Sequence, residues 1–279
     1  MNAASPTGLS LPLPARTAVA VFGAFAFAYF LSALVRAVTA TLAPVFRAEL
    51  GLQAADLGLL AGAYFLGFAS VQLPLGSALD RHGPRRVLLG FLSLVVLGCA
   101  AFALAQGFAQ LFAARVLVGV GVGACLMAPL TAYRRLFSPA AQWRANSWML
   151  MTGSLGMLAS TLPVQWLLPH WGWRGLFWAV ALALAVSMVG VALLVPRQAD
   201  ADLSAGSATG QGYREILVHP VFLRCLPLGL FTYGGMIAVQ TLWAGPWLTR
   251  VAGWTPAESA QGLFVINLSM LVAFLLWGT

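Results

Sequence analysis

The stretch Gly-Ser-Ala-Leu-Asp-Arg-His-Gly-Pro-Arg-Arg, residues 76–86, separates two long apolar segments of the 279-residue chain. Gly83-Pro84 predicts a tight turn, and Gly76 permits close contact between helices. Asp80 lies at the C-terminal end of the preceding helix, where the helix macrodipole disfavours an anion. We therefore expect Asp80 to need cationic partners, and the arginines within reach are Arg81, Arg85 and Arg86.

The composition on either side of this turn indicates a membrane protein. Hydrophobic residues make up 61% of the chain and charged residues 8%, whereas a soluble domain carries about 25% charged residues. The apolar runs of about twenty residues are long enough to cross a bilayer as helices, and they lack the alternation of membrane β-strands. We predict an all-α, polytopic membrane protein with helices at about 17–44, 55–79, 86–106, 108–133, 146–168, 175–195, 221–249 and 259–279.

The arginines predict how the chain is oriented in the membrane. The formal net charge is +8, and all fifteen cationic residues are arginine. With the N-terminus inside, ten of them lie on the inner side and three on the outer side, which is the bias of membrane insertion rather than a nucleic-acid-binding stripe. We predict a multi-pass protein of the bacterial inner membrane with a cytoplasmic N-terminus, the lipid bilayer as its surroundings and no nucleic-acid partner.

A repeat predicts two similar halves. Residues 43–51 recur at 245–253 with an offset of 202 and no gap, and both copies join two apolar segments through a short polar turn. Such a repeat indicates a duplicated architecture, with helix seven beside helix one across a pseudo-twofold axis. We expect a cytoplasmic tail (1–16), an N-terminal six-helix bundle (17–195), a solvated cytoplasmic linker (196–220) and a partial C-terminal bundle of helices seven and eight (221–279).

The turn at 76–86 closely resembles the signature of the major facilitator superfamily, a Gly-x-x-x-Asp-Arg-x-Gly-x-Arg-Arg pattern in the same loop. The Trp-Gly-Trp-Arg-Gly sequence at 171–175 resembles the same family. The resemblance implies two six-helix bundles that rock around a central site, with the motif's aspartate latching the outward-facing state against helix eleven. By this resemblance the chain covers helices one to eight, and the residues of the conformational motif are Gly76, Asp80, Arg81, Gly83, Arg85, Arg86 and Arg115.

Arg36 is a candidate for binding the solute. It lies in helix one toward the outer half of the membrane, where a cation is costly and normally faces a cavity or a partner. Residues 34–44 resemble helix one of the organophosphate:phosphate antiporters, in which an arginine at this place binds the anionic substrate, although the repeat puts Ala238 where their second arginine lies. The chain also resembles the nitrate/nitrite porters in general, but the arginine in helix two of those porters has no counterpart in this sequence. Two alternatives remain: Arg36 attracts an anion such as a carboxylate, or carbonyls and snorkelling satisfy it.

Three further residues are candidate contacts of the solute: Gln240 and Trp243 in helix seven and Tyr64 in helix two. The alternative for such side chains is an interhelical hydrogen bond. For Arg115 we favour a structural role over proton coupling. The glycines at 119, 121 and 123 lie inside a span and follow no strand, so they predict close helix packing rather than a nucleotide loop.

The function that these features predict is secondary transport of a small organic solute, with an anion as one candidate, by alternating access with a coupling proton or counter-ion. Two alternatives stay open: a drug or metabolite exporter of the same superfamily, and an inactive fragment that needs the missing helices or a separate C-terminal half. No cluster of nucleophile, base or metal ligands is evident. We therefore predict no enzyme activity, no cofactor and no metal.

Overall fold

The structure, a computed structural model, describes residues 14–200, 217–239 and 243–277, and within them it contains helices and no strand. The all-α prediction is therefore confirmed. Among the described residues, six helical segments are long and apolar enough to cross a membrane, and two of these, 108–136 and 220–238, each combine consecutive helices. The helices are α1 (Ala15–Leu50), α2 (Ala54–His82), α3 (Pro84–Leu104), α4 (Phe108–Val122), α5 (Ala124–Leu136), α6 (Pro139–Ala159), α7 (Leu162–Leu194), a 3-10 turn (Arg197–Asp200), α8 (Pro220–Gly229), a π-helical turn (Leu230–Gly234), α9 (Gly235–Ala238), α10 (Ala244–Arg250) and α11 (Pro256–Trp277).

The fifth predicted span differs from the structure at both ends. Instead of running over 146–168, α6 begins at Pro139, a residue suited to the first helical position, and the Ser138 hydroxyl accepts from the Ala141 N–H at 3.4 Å. The helix then stops at Ala159. Pro163 has no N–H to donate to the carbonyl four residues earlier, so the helical ladder is broken there. The prediction of one uninterrupted fifth helix was wrong.

The loop predicted between helices five and six is reduced to a single residue. The helix α7 is interrupted only at Gly172, with φ 63° and ψ 171°, a conformation that favours glycine. The part of α7 before Gly172 therefore continues the predicted fifth span, and the part after it corresponds to the sixth. Predicted helix seven is also irregular, because the π-helical turn Leu230–Gly234 lies between α8 and α9.

Glycines bring the backbones of α2 and α4 into direct contact. A Cβ atom on Gly67 of α2 would lie 2.1 Å from the Val116 carbonyl oxygen, and one on Gly119 of α4 would lie 2.1 Å from the Tyr64 carbonyl oxygen. On the other side of α4, a Cβ on Gly121 would lie 2.6 Å from the Val95 nitrogen of α3. The prediction that the glycines of helix four permit close packing is confirmed.

The buried apolar side chains of α1 to α7 form one continuous core, which extends to Ala199 in the 3-10 turn. Beyond it, α11 packs against α6. In the described part of the chain, no comparable packing of α8, α9 or α10 on α1 is found. The described residues of α8 and α9 include no buried side chain. The expected position of helix seven beside helix one is therefore not what the described residues show, and the second segment is joined to the core through its last helix.

We expect Gly119→Ala to destabilise the protein, because the added methyl group has no space against the Tyr64 carbonyl. Overpacking of this kind costs about 1–3 kcal/mol. The measurement is the thermal unfolding midpoint of the purified protein in detergent. Gly90→Ala is the matched control, since a Cβ there meets nothing within 4 Å. Equal midpoints for the two variants would contradict the close contact between α2 and α4.

Candidate functional site

The signature turn between α2 and α3 is held by an aspartate from elsewhere in the chain. The Asp200 carboxylate accepts from the backbone N–H groups of Arg85 at 2.9 Å and Arg86 at 3.4 Å, and the Arg86 side chain lies 3.8 Å from it. An anion is favoured at this place because the first N–H groups of a helix have no partner within it. Gly83 has φ 80°, and a Cβ there would lie 2.4 Å from the Asp200 Cα, so both the backbone and the neighbour require glycine.

Two further arginines attach the residues around Asp200 to the bundle. Arg85 donates to the Ala192 carbonyl at 2.6 Å. Arg135 donates to the Ala199 carbonyl at 2.5 Å and to the Leu79 carbonyl at 3.5 Å. The end of α7 and the 3-10 turn are thereby connected to the C-terminal ends of α2 and α5. The linker predicted to be solvated from residue 196 therefore starts with a bound turn, and this part of the prediction was wrong.

Asp80 does not have the partners expected from the sequence. It is exposed, and among the described residues no hydrogen bond or ion pair joins it to Arg81, Arg85 or Arg86. The last two engage Asp200 instead. Sequence reasoning missed Asp200, and the only signal was an acidic residue shortly after the sixth span.

Within the membrane, Arg115 of α4 is bonded to the backbone of α1. Its guanidinium donates to the Val35 carbonyl at 2.7 Å and to the Arg36 carbonyl at 2.9 Å, and it lies 4.9 Å from the centre of the Tyr64 ring. The residue is 1% exposed. A buried cation needs such partners, and the ring face offers an additional attraction. These contacts are those of a side chain that joins α1, α2 and α4.

The glycine contact between α2 and α4 explains why these side chains meet. Arg115 precedes Gly119 by one helical turn, and Tyr64 precedes Gly67 by almost one turn. Because the two backbones touch at the glycines, the Tyr64 ring is placed over the Arg115 guanidinium. Tyr64 is 3% exposed and also stacks on Phe68 with a centroid distance of 6.4 Å.

Arg36 differs from Arg115 in its partners. It is half-buried, its Nε atom is buried without a hydrogen-bond partner, and no hydrogen bond from its guanidinium to a described residue is found. Arg115 donates to the Arg36 carbonyl and lies over the Tyr64 ring, so the Arg36 backbone is close to the same cluster. The alternative considered for Arg36, an arginine satisfied by carbonyls, describes Arg115 instead.

The two candidates from helix seven do not join this cluster. Gln240 lies outside the described residues. Trp243 is 65% exposed, and in the described part of the chain it has no ring contact with the cluster. The structure therefore brings together Arg36, Tyr64 and Arg115, which the sequence placed on three separate helices.

A second polar cluster joins the C-terminal ends of α1 and α3 to the part of α7 that follows Gly172. Glu49 of α1 accepts from the Trp173 indole N–H at 2.6 Å and pairs with Arg174, both from α7. Arg174 also donates to the Ala105 carbonyl after α3 at 3.2 Å. These contacts connect α1 and α3 to α7, and we assign them a structural role. No group of three or more potential metal ligands occurs within the described residues.

Comparison with known protein sequences agrees with a transporter. A family model described as Major Facilitator Superfamily matches residues 25–279. The chloramphenicol resistance protein of Streptomyces lividans is 31% identical over 77% of this chain and 54% of its own length. The probable L-galactonate transporter of Escherichia coli strain K12 is 26% identical over 71% of this chain and 42% of its own. The chain thus spans about half the length of the curated relatives that it matches.

Solved structures show the same fold. A bacterial homologue of the human lysosomal transporter Spinster, in an inward-facing and unoccupied conformation, has a TM-score of 0.67 and 20% identity, covering 89% of this chain and 59% of that one. A D-xylose–proton symporter has a TM-score of 0.66 and 15% identity, covering 91% of this chain and 66% of that one.

We expect Asp200→Ala to lower the stability of the purified protein, since it leaves the first N–H groups of α3 without their acceptor. Loss of a helix N-cap costs about 0.5–2 kcal/mol. Asp80→Ala, at the exposed aspartate of the same turn, is the matched control and should leave the thermal unfolding midpoint near that of the wild type. If Asp80→Ala were the more damaging change, the assignment of the turn's anchor to Asp200 would be incorrect.

Proposed function

The chain belongs to the major facilitator superfamily, and from this we propose that it forms part of a secondary transporter that carries a small organic anion across the bacterial inner membrane by alternating access. It is a multi-pass membrane protein, and the relatives named above are transport and resistance proteins rather than enzymes. Because the chain spans about half of each relative, the proposal concerns what its own helices contribute to binding and movement.

The observation that carries the proposal is the state of Arg36. A guanidinium in the outer half of a membrane helix is costly unless it is paired or faces a polar cavity. The Nε atoms of Arg36 and Arg115 are both buried without a partner among the described residues, but the terminal nitrogens of Arg115 donate to two carbonyls and no such bond from Arg36 to a described residue is found. Arg115, which donates to the Arg36 carbonyl and lies over the Tyr64 ring, has the same sign and cannot neutralise Arg36. An anionic solute would supply the missing acceptors and the missing charge.

One relative supports an anion as the solute. The L-galactonate transporter matches most of this chain, and L-galactonate carries a carboxylate. A guanidinium can donate two parallel hydrogen bonds to a carboxylate, which fits a free Arg36 side chain. We therefore propose Arg36 as the anion-binding residue, with Tyr64 beside it and Gln240 and Trp243 as candidates from helix seven.

The second candidate function is export of an uncharged drug. The relative from Streptomyces lividans is a chloramphenicol resistance protein with higher identity to this chain than the L-galactonate transporter. The structure also has an apolar groove of about 210 Å³ between α1 and α7, lined by residues such as Leu34, Val38 and Phe177. An uncharged solute would not need the charge of Arg36 for binding. Substitution of Arg36 should therefore weaken binding of an anion and leave binding of an uncharged drug unchanged.

The bundle organisation and orientation are part of the proposal. We assign residues 17–195 to one six-helix bundle, 196–220 to a connection with a bound beginning, and 221–279 to the second bundle. The continuous core from α1 to α7 supports the first assignment. The excess of arginine on one side supports a cytoplasmic N-terminus and a cytoplasmic signature turn. A proton or counter-ion would accompany the solute.

We expect sodium L-galactonate to raise the thermal unfolding midpoint of the purified chain, because a ligand that binds the folded state stabilises it. Arg36→Gln should weaken this binding at least tenfold, since a charge-assisted bidentate bond is lost. Arg47→Gln is the matched control, an exposed arginine on the same helix. Stabilisation by chloramphenicol that Arg36→Gln leaves unchanged, with none by L-galactonate, would favour the exporter and contradict the anion transporter.

A further inference from the structure

Thr39 of α1 has a buried hydroxyl group without a hydrogen-bond partner. The residue is 6% exposed, and its Oγ1 atom has no partner among the described residues. Serine and threonine in helices normally donate to a carbonyl three or four residues earlier. Thr131 donates to Met127 and Thr152 to Trp148 in this way, whereas Thr39 and, in α7, Ser187 have buried hydroxyl groups without a partner among the described residues. Thr39 is therefore an exception that needs an explanation.

The explanation lies in the two carbonyls within reach of Thr39. Four residues earlier is the Val35 carbonyl, and three residues earlier is the Arg36 carbonyl. These are the two oxygens to which Arg115 donates, at 2.7 and 2.9 Å. A carbonyl oxygen has two lone pairs, and in a continuous helix one of them accepts the helical N–H. Because Arg115 donates to the second lone pair of each carbonyl oxygen, neither oxygen can accept a hydrogen bond from the Thr39 hydroxyl.

Thr39 also lies on the same face of α1 as Arg36. Residues three apart on a helix are neighbours, with Cβ atoms about 5–6 Å apart. The Arg36 Nε is the other buried and unpartnered donor on this face. Two adjacent donors without acceptors, one of them charged, form an arrangement that an oxyanion would complete.

We propose that the Arg36 guanidinium and the Thr39 hydroxyl form a two-donor subsite for an oxyanion group of the solute, a carboxylate or a phosphate. Arg115 is the positioning residue that makes this subsite, because it occupies the carbonyls that would otherwise hold the Thr39 hydroxyl. The inference rests on the proposed function and adds to it the second donor and the reason that this donor is free.

The first test measures anion binding by the purified chain as the concentration that gives half-maximal thermal stabilisation. The probes are sodium L-galactonate for the carboxylate and sodium phosphate for the phosphate, at constant ionic strength. Thr39→Val, which keeps the shape and removes the hydroxyl, should weaken binding of the preferred anion about tenfold. Thr39→Ser should bind like the wild type. Thr131→Val is the control, since that hydroxyl is already bonded within its helix.

The second test addresses Arg115 through a double-mutant cycle. Lysine has a compact ammonium group and lacks the planar fork of arginine, so Arg115→Lys should release one carbonyl to the Thr39 hydroxyl. In that background Thr39→Val should no longer weaken anion binding. A purely structural role of Arg115 would lower stability and leave the effect of Thr39→Val unchanged, and that result would overturn the positioning role.

The outcomes separate the subsite from the proposed function. If Arg36→Gln abolishes anion binding and Thr39→Val has no effect, the two-donor subsite is wrong and the anion transporter stands. If Arg36→Gln binds both anions as the wild type does, or neither anion stabilises the wild type, the proposed function fails and the subsite with it. Preference for one probe identifies the oxyanion as carboxylate or phosphate.

Discussion

The pair of hydrogen bonds from Arg115 to the backbone of α1 is the constraint on which the membrane-embedded site depends. A guanidinium inside a bilayer must find acceptors within the protein, and Arg115 finds them in the Val35 and Arg36 carbonyls. These bonds are possible because Gly67 and Gly119 let α2 and α4 touch, which puts Tyr64 against the same guanidinium. One buried charge thereby fixes three helices.

The same principle holds at both ends of the bundle, where charged side chains engage the ends of helices. On one side Asp200 accepts from the first N–H groups of α3, and on the other Arg174 donates to the carbonyl that follows α3. Both ends of α3 are thus held by residues of one segment, Arg174 after the Gly172 interruption of α7 and Asp200 just beyond the end of α7. Arg36, by contrast, is a cation without a hydrogen-bond partner among the described residues, and this contrast gives the site its proposed chemistry.

Much of the fold could be predicted from the sequence, since the lengths of the apolar segments and the glycines of helix four depend on local chemistry. The sequence-based predictions were wrong where contacts between residues distant in the sequence determine the structure. Asp200 looked like part of a solvated linker, and only its contacts in the folded chain show that it accepts from the first N–H groups of α3 beside Gly83. Likewise, the sequence could not show which of Arg36 and Arg115 receives carbonyl acceptors, because the crossing of α1 and α4 determines it.

The central claim, that Arg115 holds the middle of α1, is tested most directly by hydrogen–deuterium exchange on purified Arg115→Met beside the wild type. The account predicts faster exchange of the α1 backbone amides around residues 35–40, where both bonds from Arg115 end, and unchanged exchange around residues 18–25. Equal protection of residues 35–40 in the two proteins would contradict it.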